Sequence, residues 1–289
     1  MRFALAFDHG DWARGKASGE TLALAQRADE GGIDSLWLSE DPDGWDAFAV
    51  LGAISQHTRR IQLGTGVVNP YHRNPNQIAA SLATLDRLAP GRVFLGLGRG
   101  QPEWYEHALG MEIGSPVERL RDTISLLRQW ESSGTASIDG EFHVDGWTRV
   151  IQPANRVPIY LAAVGPKALE LAGQVADGVF FNYLATPDFM QGAVARVRAA
   201  AIAAGRDPAN FHFVANPGVR ITENIEPVLR SRKRFVASVL ALPGMEVLLK
   251  NPELDVPSIM RQVRSAMKTG EILARGGGFS DFAKEGDMA

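Results

Sequence analysis

Short apolar runs and segments of helical period alternate along this chain as far as about Thr222. Arg2–Phe7 predicts a strand, and Thr21–Glu30 a helix closed by Gly31-Gly32. Asp34–Ser39 predicts a second strand, with a helix through Trp45–Gln56 behind it. Ile61–Val68 is a third, then a helix from about Pro75 to Leu88, and Arg92–Gly98 a fourth, then a helix around Val117–Trp130. The rhythm breaks at Ala136–Val144 and Thr148–Ile151, which read as a short hairpin. It resumes with strands at Pro158–Val164, Gly178–Asn182 and about Phe211–Arg220, with an amphipathic helix over Pro187–Ala204 between the last two.

Strands alternating with helices at this spacing imply parallel β-structure joined by right-handed crossovers. Such a series fits an α/β (β/α)8 TIM-type barrel, with an insertion between strands 4 and 5, better than an open sheet. No Gly-x-Gly-x-x-Gly opens a helix after the first strand, which weakens a dinucleotide-binding sheet. Beyond Thr222 the pattern predicts helices over Glu226–Leu249 and Pro257–Thr269. No eighth strand is evident around Gly276–Gly278 or in the tail to Ala289, and residues 1–289 read as a single barrel domain.

Composition narrows the class. With 45% hydrophobic and 22% charged residues over 289 positions, the chain can bury a large core. A formal charge of −3 gives no electrostatic footprint for nucleic acid or an anionic membrane. The absence of cysteine removes disulfides, thiolate metal sites and a cysteine nucleophile. No apolar stretch approaches the length of a membrane span, and Met1–Phe7 before Asp8-His9 is too short for a signal peptide. A cytoplasmic protein is the expectation.

The segment Pro158–Gly173 carries the most chemistry. An apolar strand meets Ala162-Ala163-Val164-Gly165-Pro166 and passes straight into a helix with a leucine stripe. Pro166 suits the first helical turn, and the following free N–H groups at the positive end of the dipole suit a phosphate. Gly165 permits close approach of a ligand, although an ordinary βα turn would have the same spacing. In a barrel, ligands sit at the C-terminal strand ends. Those ends supply Asp8 and His9, Ser39 and Glu40, Gly66–Pro70, Gly98–Gln101, Ala163–Gly165, and Asn182 with Tyr183. They contain no serine in a nucleophile elbow, and the six histidines show no His-x-x-x-His for a metal. Small residues, amides and a few acids suit a planar cofactor that carries the chemistry itself. Each candidate has a plainer role beside the functional one. Glu40 could be a surface carboxylate or a partner of Arg99, His9 a structural histidine, His72 a cap, and Trp37 core. Trp12, Trp45 and Trp104 could stack on a ring, and Arg99 and Gln101 could lie on the surface.

Gly64-Thr65-Gly66-Val67-Val68-Asn69-Pro70-Tyr71 with Arg73 and Pro75, and Leu85 onward to Gly91–Gly98, resemble the luciferase-like monooxygenase superfamily. Ala162–Lys167, Leu171-Ala172 and Ala176–Gly178 are similar to its deazaflavin-dependent branch, the resemblance covering about residues 1–222. It implies that Gly66 and Val67 form a bulge under an isoalloxazine-type ring, often with a non-prolyl cis peptide. It implies that Glu40 lies near ring or substrate, that Gly98 lines the cleft, and that Ala163, Val164, Gly165 and Pro166 cradle a phosphate. Arg99 departs from many relatives, which have a smaller or acidic residue there. The activity implied is hydride transfer between coenzyme F420 and a small organic substrate, with Glu40 or His9 relaying a proton. FMN-dependent monooxygenation and non-catalytic flavin binding are the alternatives. A homodimer is implied, and substrate specificity is expected from the Ala136–Thr148 hairpin and the segment after Thr222.

Overall fold

The computed structural model describes residues 1–8, 18–41, 44–242, 244–248 and 253–274. Its frame is a curled parallel sheet of seven strands in the order β1-β2-β3-β4-β7-β8-β9. These are β1 (Ala4–Phe7), β2 (Ser35–Leu38), β3 (Gln62–Thr65), β4 (Val93–Leu97), β7 (Ile159–Ala162), β8 (Gly178–Phe180) and β9 (His212–Val214). Every neighbouring pair is parallel and in simple register, from Phe7 opposite Leu38 to Phe180 opposite Val214. The crossovers are α1 (Ser18–Glu30), α2 (Ala47–His57), α3 (Pro75–Leu88), α4 (Pro102–Leu109), α5 (Pro116–Ser133), α6 (Pro166–Val175) and α7 (Pro187–Ala203). This is the strand and helix succession of a TIM-type barrel, with α4, α5 and a hairpin of β5 (Thr135–Asp139) and β6 (His143–Thr148) inserted between the fourth and fifth barrel strands. Among the described residues no strand joins β9 back to β1, so both edges remain open.

Each crossover begins where its sequence supplies a stop and a start. Asn74 caps α3 through its side chain and Pro75 follows at the first turn; Ser115 and Pro116 do the same for α5, Thr186 and Pro187 for α7. The strands are buried on both faces where helices cover them, as β4 is at all five positions. The main core lies between sheet and helices, while Trp37, Phe94 and Phe180 pack inside the barrel. Trp37 is therefore core, 4.7 Å from the Phe180 ring in a stacked pair.

Several boundaries differ from the sequence expectation. The last strand is confined to His212–Val214, because only those residues pair with β8. Pro102–Leu109 is a helix that the short apolar pattern did not reveal, closed by Gly110 in the left-handed region. The hairpin is β5 (Thr135–Asp139) with β6 (His143–Thr148), starting and ending earlier than its apolar residues suggest. The long C-terminal helix is cut at Ala241, giving α8 (Glu226–Ala241), a 3-10 turn at Met245–Leu248, α9 (Val256–Ala266) and α10 (Thr269–Ala274).

Candidate functional site

One cleft runs through the interior of the curled sheet, from Met1, Arg60 and Pro158 at the N-terminal strand ends to the C-terminal ends, where Glu40, Gly66, Val67, Gly98, Ala163, Val164, Gly165 and Pro166 line it. Its volume of about 3600 Å³ exceeds a ligand-sized pocket, and among the described residues no strand closes the sheet between β9 and β1. His9 and Trp12 lie outside the described residues.

The Gly66–Val67 peptide is cis and forms the bulge expected there. The β3–β4 ladder is interrupted at these residues and resumes at Val68, which donates to the Gly96 carbonyl at 3.0 Å and accepts from Gly98 N at 2.9 Å. Close backbone approach explains the flanking glycines: a Cβ on Gly96 would run into the Thr65 carbonyl, and one on Gly98 would come within 2.7 Å of Val67 Cγ2. Thr65 is fully buried, and its hydroxyl donates to Gly96 O at 2.7 Å while accepting from Gly96 N.

Across the cleft, Gly165 is the N-cap of α6 and offers no side chain to the helix, with Pro166 at its first turn. The space over its Cα is open, since a Cβ there would meet nothing within 4 Å. The N-terminus of a ten-residue helix is thus presented bare to the cleft, the arrangement that favours an anion.

Glu40 is buried, and its partner is Arg73, not Arg99. Arg73 Nε donates to Oε1 at 2.7 Å and Nη2 to Oε2 at 2.6 Å, while Ala47 N donates to Oε2 at 2.9 Å. Arg73 Nη2 also lies 2.7 Å from Asp46 Oδ2, and His72 Nδ1 is 3.7 Å from Glu40 Oε1. The hydrogen bond to Glu40 raises the Arg73 pKa above its ordinary value, against a smaller opposing effect of burial. For Asp46, burial raises the pKa, but the bonds from Arg73 and from its capped helix outweigh it and leave it lowered. Arg73 is the site residue that pattern reading passed over; the signal that could have found it is that a buried carboxylate at a strand end requires a cation.

Asn69 and Tyr105 complete this wall. Asn69 Oδ1 accepts from Tyr71 N and His72 N, and its Nδ2 donates to Tyr105 Oη at 2.8 Å. Burial, with the Asp41 and Glu40 carboxylates, pushes the Tyr105 phenol up, so it stays protonated at neutral pH. Asp41 and Tyr183 also line the cleft. The β5–β6 hairpin contributes nothing to its lining, which corrects the expectation that specificity lies there; its sheet packs on α5 outside the barrel. The segment after Thr222 does contribute, through Pro227, Val228, Arg232 and Val239. Among the described residues no cluster of histidine and carboxylate side chains is placed to hold a metal, and no helix is long and apolar enough to cross a membrane.

A barrel with a backbone-lined cleft, a strand-end bulge and a bare helix N-terminus defines a class of cofactor-dependent enzymes. The chain belongs to the luciferase-like monooxygenase family, whose profile matches residues 1–277. The match extends well past the Thr222 limit of the sequence resemblance. A 5,10-methylenetetrahydromethanopterin reductase of Methanolobus tindarius is 31% identical over 254 residues, 88% of this chain and 77% of the relative. An F420-dependent glucose-6-phosphate dehydrogenase of Kineococcus radiotolerans is 37% identical over 175 residues, 56% of this chain and 52% of the relative. The solved coenzyme F420-dependent tetrahydromethanopterin reductase of Methanopyrus kandleri superposes with a TM-score of 0.73 at 22% identity, covering 100% of this chain and 82% of that one. That last likeness is one of fold.

Proposed function

We propose that this enzyme is an oxidoreductase that transfers hydride between coenzyme F420 and a small organic substrate. The observation that carries the reading is the convergence of the Gly66–Val67 bulge, Gly98 and the bare α6 N-terminus on one cleft. The F420-dependent glucose-6-phosphate dehydrogenase among the relatives supports the choice of cofactor.

The donor set fits such a group. Uncapped N–H groups and open space over Gly165 suit a phosphate, and the small residues Gly66, Gly98 and Ala162 leave room for a planar ring. Ser39 Oγ and Trp104 Nε1, both in cleft-lining residues, are buried without a hydrogen-bond partner among the described residues, and a bound polar group would satisfy them. When bound, the reduced deazaflavin supplies a hydride from C5 and reacts poorly with oxygen.

The protein's contribution is then positioning and the exclusion of water. Gly66, Val67 and Gly98 would bear on the ring, while Ala163, Val164, Gly165 and Pro166 would hold the phosphate. Glu40 anchors Arg73 and the start of α2; both its oxygens already accept N–H donors, so relaying a proton through it would first break the Arg73 pair. A relay through Glu40 therefore requires that pair to open, with His9 the other relay the family resemblance implies; Asp41 lines the same cleft. A cytoplasmic homodimer of one barrel domain over residues 1–289 completes the reading, resting on the family resemblance.

Titration of the purified protein with coenzyme F420 and with FMN, followed by fluorescence quenching, is the test. Tight F420 and weak FMN binding are expected. Preference for FMN would instead indicate a flavin-dependent monooxygenase, and binding of neither would overturn the enzymatic reading of the cleft.

A further inference from the structure

The β5–β6 hairpin stands outside the cleft, yet its tip is joined to the cleft wall by a column of side chains. Arg119, on α5, sits between two aromatic residues: its guanidinium carbon is 4.6 Å from the Phe142 ring at the hairpin turn and 4.6 Å from the Tyr71 ring. Tyr71 stacks in turn on Tyr105, with centroids 5.6 Å apart and planes 17° from parallel. Tyr105 lines the cleft. Arg119 is mostly buried, and its Nε donates to the Pro70 carbonyl at 3.2 Å.

The hairpin is itself firmly seated. Glu141 N donates to Asp122 Oδ2 at 2.8 Å, and Glu141 Oε1 accepts from Ser115 N at 2.9 Å. Arg149, just after β6, donates to the Asn76 carbonyl at 3.0 Å and to the Asn76 side-chain oxygen. The loop between the Gly66–Val67 bulge and α3 is therefore gripped from outside by Arg119 at Pro70 and Tyr71, and the first turn of α3, into which it runs, by Arg149 at Asn76. That same loop supplies Arg73 to Glu40 and Asn69 to Tyr105.

We propose that the hairpin is a brace for the cofactor-facing loop, with Arg119 as a positioning residue. The Phe142–Arg119–Tyr71–Tyr105 column fixes where the loop stands, and with it the shape of the cleft beside the bulge. The role requires arginine, because a planar guanidinium can pack on two rings while it bonds the Pro70 carbonyl; a lysine ammonium cannot do both. The proposal rests on the reading that a cofactor ring seats at Gly66–Val67.

Phe142→Ala and Arg119→Lys, made singly and together in the full chain, test it. Two readouts are needed: hydrogen exchange of peptides covering residues 66–76 in the protein alone, and the dissociation constant for coenzyme F420. Each single variant is expected to speed exchange in 66–76 at least threefold, with β3 and β4 unchanged, and to weaken F420 binding about tenfold. The double variant is expected to match the singles, because both break one column. A lower melting temperature with unchanged exchange in 66–76 would assign these residues to general stability and overturn the brace. Faster exchange with unchanged F420 affinity would overturn the positioning role. Failure of the unmodified protein to bind F420 would count against the functional reading alone, the exchange comparison still deciding the brace.

Discussion

Buried carboxylates carry much of the local order in this chain, and each is matched to specific donors. Glu40 depends on Arg73, so Arg73→Ala leaves a buried unpaired charge and is expected to destabilise the protein by about 3–5 kcal/mol. Adding Glu40→Gln should restore part of that loss, and urea denaturation of the two single variants and the double measures the coupling. Asp29, in the last turn of α1, is unfavourably placed for the helix dipole. It accepts from the backbone N–H groups of Arg59, Arg60 and Ile61 and so ties α1 to the entry of β3. Burial alone would raise its pKa, but those three bonds and the Arg60 charge outweigh it, leaving the carboxyl below its ordinary value. A group with a lowered folded pKa stabilises above its unfolded pKa of about 3.9, and the contribution is lost as pH falls through the folded value. Unfolding free energy should therefore decline below about pH 4, and Asp29→Ala should cost about 3 kcal/mol at pH 7 and flatten that decline. Equal pH slopes for both proteins would refute this account.

At the scale of elements, the bare start of α6 makes a prediction of two opposite signs. Gly165 has φ −75° and ψ 156°, which any residue adopts, and free space above it. Gly165→Asp should cap α6 and stabilise the fold by about 1 kcal/mol, while placing a negative charge where the phosphate belongs. The melting temperature should rise by a few degrees and F420 affinity should fall more than tenfold. A loss of affinity without stabilisation would show that the helix end is not short of a cap. The helix starts near Pro75, Val117 and Pro187 were legible from local pattern; the structure adds the side-chain caps Asn74, Ser115 and Thr186 just before them. The short helix at Pro102–Leu109 was not, since its amphipathic face becomes meaningful only against Ala241, Leu242, Met267 and Ile272, the cluster that Trp104 packs on.

At the scale of the whole molecule, the sheet is unevenly protected. β4 is buried at every position, whereas β1 alternates between exposed and half-buried and, among the described residues, has a neighbour on one side only. Amides of Ala4–Phe7 should exchange at least tenfold faster than those of Val93–Leu97, because edge strands open locally before the core does. Similar protection of both would mean that β1 is covered in solution. Light scattering checks the proposed dimer: a mass near twice 31.3 kDa is expected, and a monomer would remove it.

The sequence by itself determined the order of strands and helices and the Gly165–Pro166 helix start, while the bulge at Gly66–Val67 came from the family resemblance. Each of these is written in a stretch of about ten residues, through period, proline or glycine. The tertiary structure alone decided that Glu40 belongs to Arg73, that Tyr105 and Asn69 share the cleft wall, and that the hairpin braces the loop from outside the pocket. Those contacts join residues 33, 36 and 71 positions apart (Glu40 with Arg73, Asn69 with Tyr105, and Tyr71 with Phe142 through Arg119 between them). No local pattern encodes them, because a side chain's partner across a barrel is set by how the crossovers bring distant strand ends together.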